Sequence, residues 1–373
     1  MARDDRREPI PPAGVRHALL AGGGTGGHVF PALAVADELV RRGWRVSFAG
    51  GETGLEARLV PARGIPFHAL PARPLVGKGL GAKVGSLVTV GRSALAARRL
   101  VRALGADAVL GTGGYVSRPA VLGAALARRP VLLLEPNARA GVANRWLSRF
   151  ATGAVLGYGS ARADLKCPTW VTGVPVRAAF FTVPRELPEG PPRLLVLGGS
   201  QGARQLNAAL PAAVARLGAV SVLHQAGARH VEETLAAYEA AGVAAGEGSA
   251  VQVVPFLDDV AGAMASSHLV LSRAGAIATA EICAAGRPSL LVPLAIAQGH
   301  QIENARLLAE AGAAEVLFGA EVTAERLASL LVELLADSNR LARMAQAART
   351  LARPGAAAAI ADRLEEMVGG GAW

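Results

Sequence analysis

An α/β fold in two halves, each a parallel sheet covered by helices, is what this 373-residue sequence predicts. Three observations predict it. Short apolar runs alternate with amphipathic helical patterns along the whole chain, the mark of βαβ units. A strand, glycine loop and helix occur together twice, around AGGGTGGHVFP (residues 21–31) and in RLLVLGGSQGARQLN (193–207). Between them AAFFTVPRELPEGPPR (178–193) is rich in proline and reads as a linker.

In order, VRHALLAGG (15–23) reads as a strand and PALAVADELVRRG (31–43) as a helix, with Pro31 in its first turn and Gly43 just past its end. WRVSFAGG (44–51), ADAVLGTGG (106–114) and PVLLLEPN (130–137) supply further strands, with a helix expected from Pro119 to Arg129. In the second half RLLVL is followed by AVSVLHQAG, AVQVVPF, LVLSRAG and PSLLVPL, each leading into a helical pattern. Pro354 and Gly355 end one helix, and AAAAIADRLEEMV begins another. The expected divisions are a Rossmann-like domain at 1–175, a linker at 176–192, a second Rossmann-like domain at 193–353, and a final helix at 354–373 that crosses back to the first domain.

Composition narrows the function classes. Cys167 and Cys283 are far apart and outside any metal-ligand spacing, so two reduced thiols are expected. No stretch reaches the roughly 18 apolar residues of a membrane-spanning helix, and the charged opening MARDDRREPIPP lacks an apolar core behind it; a cytoplasmic location is expected. Residues 1–170 carry 24 Lys and Arg against 10 Asp and Glu, whereas residues 171–373 carry 15 against 19. This asymmetry points the first half at an anionic partner, for which nucleic acid, anionic lipid and a phosphorylated substrate are candidates. No basic patch interleaved with base-stacking aromatics occurs, which argues against nucleic acid.

The first glycine loop has the G-x-G-x-x-G spacing of a dinucleotide site, but the strand after it ends SFAGG, and the first acid, Glu52, lies beyond the strand. No G-K-[ST] follows either loop, no H-x-x-x-H pair exists, and no D-x-D motif is present. A diphosphate here would be neutralised by backbone N–H groups, helix N-termini and side-chain donors. GGSQG (198–202) and SRAGAIATAE (272–281) are two strand-to-helix junctions that offer them. Glu281 suits the two hydroxyls of a ribose, or is a solvated helix acid. His28, in a loop that needs only backbone donors, is structural or catalytic.

GGGTGGHVFPALAVADEL, GTGGYVSRP, LLLEPNARAG, TGVPVR, LGGSQGARQLN, PFLDDVAGAMASSHLVLSRAGAIATAEI and GHQIENA, in this order, resemble the MurG family of peptidoglycan glycosyltransferases, within glycosyltransferase family 28. The resemblance spans about residues 16–350. It implies a GT-B fold, two Rossmann-like domains facing across a cleft. It also implies inverting, metal-independent and cofactor-free transfer of N-acetylglucosamine from UDP-N-acetylglucosamine (UDP-GlcNAc) to the C4 hydroxyl of the muramoyl residue of lipid I, giving lipid II. A related transferase acting on diacylglycerol is the alternative. Peripheral attachment to an anionic membrane, at the cytoplasmic face of the inner membrane, and contact with other cell-wall synthesis proteins are further implications.

Carried over by motif, Ser200, Gln201 and Arg177 would hold the diphosphate. Leu257, Ala276 and Glu281 would meet the uridine, and His300 and Gln301 the sugar. Thr25, Gly26, Gly27 and Asn137 would close on the donor from the first domain. His28 is the leading candidate for the base that deprotonates the acceptor, and Glu135 the second. Gly113, Gly114, Tyr115 and Lys78 would contact the acceptor. Lys78, Lys83 and Arg92, interleaved with Leu80, Val84, Leu87 and Val88, form either a membrane contact or an ordinary helix packed on the sheet. The chain departs from the family at Leu134 and Pro136, in LVGKG, and at Ala280, which puts details of acceptor binding in doubt.

Overall fold

The computed structural model describes residues 14–70, 80–199, 201–294 and 299–370; for 80–89 and 115 it describes the backbone only. The first sheet comprises β1 (His17–Ala21), β2 (Arg45–Gly50), β3 (Phe67–Ala69), β4 (Ala108–Gly111), β5 (Val131–Glu135), β6 (Gly153–Leu156) and β7 (Thr169–Val171). All pairings are parallel, in the order β3-β2-β1-β4-β5-β6-β7. The crossovers carry α1 (Gly26–Arg41), α2 (Leu55–Leu59), α3 (Leu80–Leu104), α4 (Gly114–Leu126) and α5 (Val142–Leu147).

The second sheet comprises β8 (Arg193–Leu197), β9 (Ser221–Gln225), β10 (Val251–Val254), β11 (Leu269–Ser272), β12 (Ser289–Leu291) and β13 (Ala314–Val316), again parallel, in the order β10-β9-β8-β11-β12-β13. Its helices are α6 (Arg204–Val214), α7 (Val231–Ala240), α8 (Val260–Ala265), α9 (Ala276–Ala285), α10 (His300–Glu310), α11 (Ala324–Ala336) and α12 (Ser338–Leu351).

Near-continuous apolar strands are what a sheet buried on both faces requires. Leu20, Leu110, Leu132 and Leu134 pack on one face with Val29, Leu33, Ala36 and Leu39 of α1, while Leu19, Val109 and Leu133 pack on the other with α3 and α4. The same alternation sends Leu194, Val196 and Leu271 toward α6 and α11, and Leu195, Leu197 and Val270 toward α9 and α10.

The last helix, α13 (Ala356–Gly369), belongs to the first core: Ile360, Ala361, Leu364 and Met367 pack with α1. Arg42 pins it by ion pairs to Asp362 (2.6 Å) and Glu365 (3.1 Å).

Two helix starts differ from expectation. Helix α1 begins at Gly26, so Pro31 is its sixth residue rather than part of its first turn; α4 begins at Gly114 and encloses Pro119. Each proline removes one intrahelical bond, and packing of the buried apolar faces outweighs that loss.

Strand order sets the site. In the first sheet β2 and β4 flank β1, so the connections after β1 and β4 leave toward opposite faces and open a crevice between them. In the second sheet β9 and β11 flank β8 and do the same. Both glycine loops, GTGG (111–114) and SRAGA (272–276) therefore lie at switch points.

Candidate active site

His28 stands in the first turn of α1, immediately after the glycine loop. Thr112, the residue after β4, holds it at both ends: the Thr112 hydroxyl donates to the His28 carbonyl (2.8 Å), and the Thr112 carbonyl faces the ring Nδ1 at 2.9 Å. A carbonyl only accepts, so Nδ1 carries the proton and Nε2 keeps its lone pair. Among the described residues Nε2 has no hydrogen-bond partner. Burial lowers the imidazole pKa, while the hydrogen bond to the Thr112 carbonyl and then Glu135 and Glu56 oppose the shift. Gly113 and Gly114, both at positive φ, form the floor beneath the ring: a Cβ on Gly113 would stand 3.0 Å from Nδ1, and one on Gly114 3.1 Å from Cδ2.

The glycine loop has an acidic partner that the sequence did not reveal. Glu56, fully buried on α2, accepts from the N–H groups of Gly24 (3.0 Å) and Gly51 (3.0 Å). A Cβ at Gly22 would strike Thr112, and one at Gly23 or Gly54 would strike the Glu56 carboxylate. These glycines make room for protein groups, and the Gly24 N–H is already bonded to a carboxylate. Thr25 and Gly27 leave the loop's helix end open, whereas a Cβ on Gly26 would stand 2.9 Å from the Phe30 ring; Thr25 is exposed, and a Cβ on Gly27 would meet nothing closer than 3.6 Å.

Glu135, at the end of β5, is buried and saturated. Its Oε1 accepts from the Asn137 N–H (3.0 Å) and Nδ2 (2.8 Å), and its Oε2 from the Gly141 N–H (2.9 Å) and Asn144 Nδ2 (3.0 Å). Four N–H donors occupy both oxygens and bind the carboxylate to its own loop. It shapes the EPNARAG segment and presents Asn137.

Opposite, Arg177 and Glu281 come together. Arg177 Nη2 donates to Glu281 Oε1 at 3.1 Å, and the guanidinium lies 4.9 Å from the ring centroids of both Phe30 and Phe180. Glu281 is buried on α9, not a solvated helix acid; burial raises its pKa to about 7 although Arg177 pulls the other way. Among the described residues Arg177 Nε is buried with no partner.

Ala276 is the first residue of α9, and Leu257 is half-buried in the loop after β10, next to Phe256, whose ring lies 5.9 Å from the guanidinium of Arg58. His300 and Gln301 open α10; Gln301 Oε1 accepts from the Leu294 N–H (2.9 Å), and His300 Nδ1 is buried without a partner among the described residues. Gln201 is exposed between β8 and α6. Ser200, Lys78 and the side chains of Tyr115, Leu80, Lys83, Val84, Leu87 and Val88 lie outside the described residues. Among the described residues no cluster of three or more His, Cys, Asp or Glu is placed to hold a metal ion, and no helix is long and apolar enough to cross a membrane.

Comparison with known proteins places this geometry in a family. Residues 18–156 match the glycosyltransferase family 28 N-terminal domain and residues 193–362 the family 28 C-terminal domain. The chain is 44% identical over 364 residues to a UDP-N-acetylglucosamine–N-acetylmuramyl-(pentapeptide) pyrophosphoryl-undecaprenol N-acetylglucosamine transferase of Halorhodospira halophila, covering 95% of this chain and 99% of that one. It is also 44% identical to the protein of the same name in Acidithiobacillus ferrooxidans, covering 94% and 98% of the two chains. The crystal structure of Acinetobacter baumannii MurG superposes with a TM-score of 0.74 at 35% identity, covering 94% of this chain and 99% of that chain. The calicheamicin glycosyltransferase CalG4, at 20% identity and a TM-score of 0.67 over 96% and 100% of the two chains, shares the fold. Two family domains, near-complete coverage and a GT-B architecture agree: the chain belongs to the MurG family of glycosyltransferases, glycosyltransferase family 28.

Proposed function

We propose that this protein transfers N-acetylglucosamine from UDP-GlcNAc to the C4 hydroxyl of the muramoyl residue of lipid I, producing lipid II and UDP, with His28 as the general base. The observation that carries this reading is the locked imidazole: Thr112 fixes the proton on Nδ1 and leaves Nε2 as the basic atom, beside the crevice. As the C4 oxygen bonds to the anomeric carbon, its proton passes to Nε2 and the bond to UDP breaks on the opposite face of the sugar, inverting the centre. A base so placed is worth roughly 10²–10⁴ in rate. Burial favours the neutral imidazole, the form that accepts a proton.

The leaving UDP develops negative charge. Gln201 and Ser200 before α6, the start of α9 at Ala276, and Arg177 are the groups that would receive it without a metal. Glu281 would accept the ribose hydroxyls, Leu257 would line the base, and His300, Gln301, Asn137, Thr25, Gly26 and Gly27 would surround the sugar. Arg177 then moves from carboxylate to phosphate as the donor enters. Glu135 would hold the loop rather than take the proton, because its four acceptor positions are in use.

Gly113, Gly114, Tyr115 and Lys78 would face the acceptor, which arrives on a lipid. An exposed surface at α5 and the turn after it supports attachment to an anionic membrane: Val142 and Trp146 of α5 and Phe150, just past its end, stand out at four-residue intervals, the last two with ring centroids 5.1 Å apart. Arg139, Arg149 and Lys166 in the same stretch of chain are exposed, and its nearest acid after Glu135, Asp164, accepts from the Ala140 N–H at 2.9 Å. The cytoplasmic face, where UDP-sugars reside, is the side this reading requires.

Incubation with UDP-GlcNAc and, separately, lipid I or diacylglycerol tests the proposal. Lipid II and UDP should form with lipid I, and EDTA should leave the rate nearly intact. Transfer to diacylglycerol alone would replace the acceptor, and abolition of transfer by EDTA would overturn the metal-free mechanism.

A further inference from the structure

A buried side chain that none of the assigned roles uses lies between the two domains. Asn304 of α10 is fully buried. Its Oδ1 accepts from the Ala138 N–H of the first domain at 2.9 Å, and its Nδ2 donates to Asn137 Oδ1 at 3.3 Å, also in the first domain. The same Nδ2 donates to the Ala274 carbonyl at 3.1 Å, in the loop between β11 and α9. Both amide protons and the carbonyl oxygen are thus satisfied only while the domains are together, and a buried amide left unpaired is costly.

We infer that Asn304 is a positioning residue that fixes the spacing of the two domains, by tying the EPNA loop of the first to the β11–α9 loop and α10 of the second. The chain of contacts runs from Glu135 through Asn137 to Asn304 and Ala274. One end is the loop beside His28, and the other is two residues from Ala276, at the start of the helix that carries Glu281. Opening the domains breaks two of the three Asn304 hydrogen bonds and unpairs the Ala138 N–H. Closure is therefore selective for one register of the domains, the one in which base and donor subsites face each other. This inference rests on the proposed transfer reaction for its kinetic consequence but not for its structural one.

The test uses full-length wild-type protein and Asn304→Ala. Hydrogen exchange of the segment 136–141 should accelerate at least tenfold in the variant while β8 stays protected, which also reports that the second domain is folded. In the transfer assay kcat should fall roughly tenfold or more, as expected when reacting groups are misplaced by a fraction of an ångström, while the affinity for UDP changes less than threefold. Asn304→Asp, which keeps the acceptor for Ala138 but loses the donor, should show the same kinetic loss if it folds and Asn304→Ala does not. Unchanged exchange at 136–141 with β8 intact would overturn the inference, as would a loss of UDP affinity equal to the loss of kcat, the mark of local damage to the nucleotide site. A wild-type protein that transfers no sugar would remove the proposed reaction, while the exchange comparison still decides the role of Asn304.

Discussion

A threonine and a glutamate determine how the first glycine loop works. Thr112 aligns His28 through backbone and ring together, and this makes the pH dependence specific. The lowered pKa means that the imidazole is neutral from below its ordinary value of 6.5 upward and is protonated as pH falls through the lowered value. At saturating substrates kcat should be flat from pH 7 to pH 8.5 and fall along a single-proton limb lying below pH 6.5. A pH–rate profile with that limb above 6.5 would contradict the assignment. Glu281, pushed up to about 7, is protonated below that value and ionised above it, so kcat/KM for UDP-GlcNAc should gain a further step near neutrality. Glu56 has a structural consequence: Glu56→Ala strands the N–H groups of Gly24 and Gly51 and should cost about 2–4 kcal/mol, read from urea midpoints. Of these residues His28 was legible because it breaks the pattern of its loop. Glu56 was not, because its partners lie on two other loops and no local spacing links a helix acid to them. Asn304 was hidden likewise, inside GHQIENA, where His300 and Gln301 carry the recognisable chemistry.

At the scale of elements, the long central strands were legible from their apolar runs and the glycine loops from their composition. Strands β3, β7 and β13 were not: FHA, TWV and AEV stand in no apolar run of the kind that LLVPL makes around the equally short β12. Proline marks later starts for α1 and α4 than the structure shows, because burial of the helix face decides the boundary. The exposed aromatics Trp146 and Phe150 are hard to read from sequence for a related reason. Periodicity identifies residues that are buried, and Trp146 looks like a core residue until the inward position is seen to be held by Asn144, bonded to Glu135. Helix α13 carries a prediction of its own. Leu364 is fully buried against α1, so Leu364→Ala should destabilise the first domain by about 2–5 kcal/mol, measured by thermal or urea unfolding. A loss below half a kcal/mol would show that α13 does not contribute to that core.

For the whole molecule, the GT-B division explains why charge is unevenly spread. The basic half carries the proposed acceptor surface, and the acidic half the proposed donor site, where backbone groups and one arginine meet the diphosphate. Binding to vesicles containing anionic lipid should weaken as salt rises from 50 to 500 mM, and replacing Trp146 and Phe150 by Ser should reduce it further at every salt concentration. Equal binding by the variant would move the contact elsewhere on the first domain. The account as a whole stands on His28 acting at the junction of the two halves. Its most direct test is the rate of transfer from UDP-GlcNAc to lipid I by wild-type protein and His28→Ala at pH 8, with UDP affinity measured alongside. The prediction is lipid II formation by the wild type, a loss of roughly 10²–10⁴ in kcat in the variant, and nearly equal UDP affinities. Equal rates in the two proteins would contradict it.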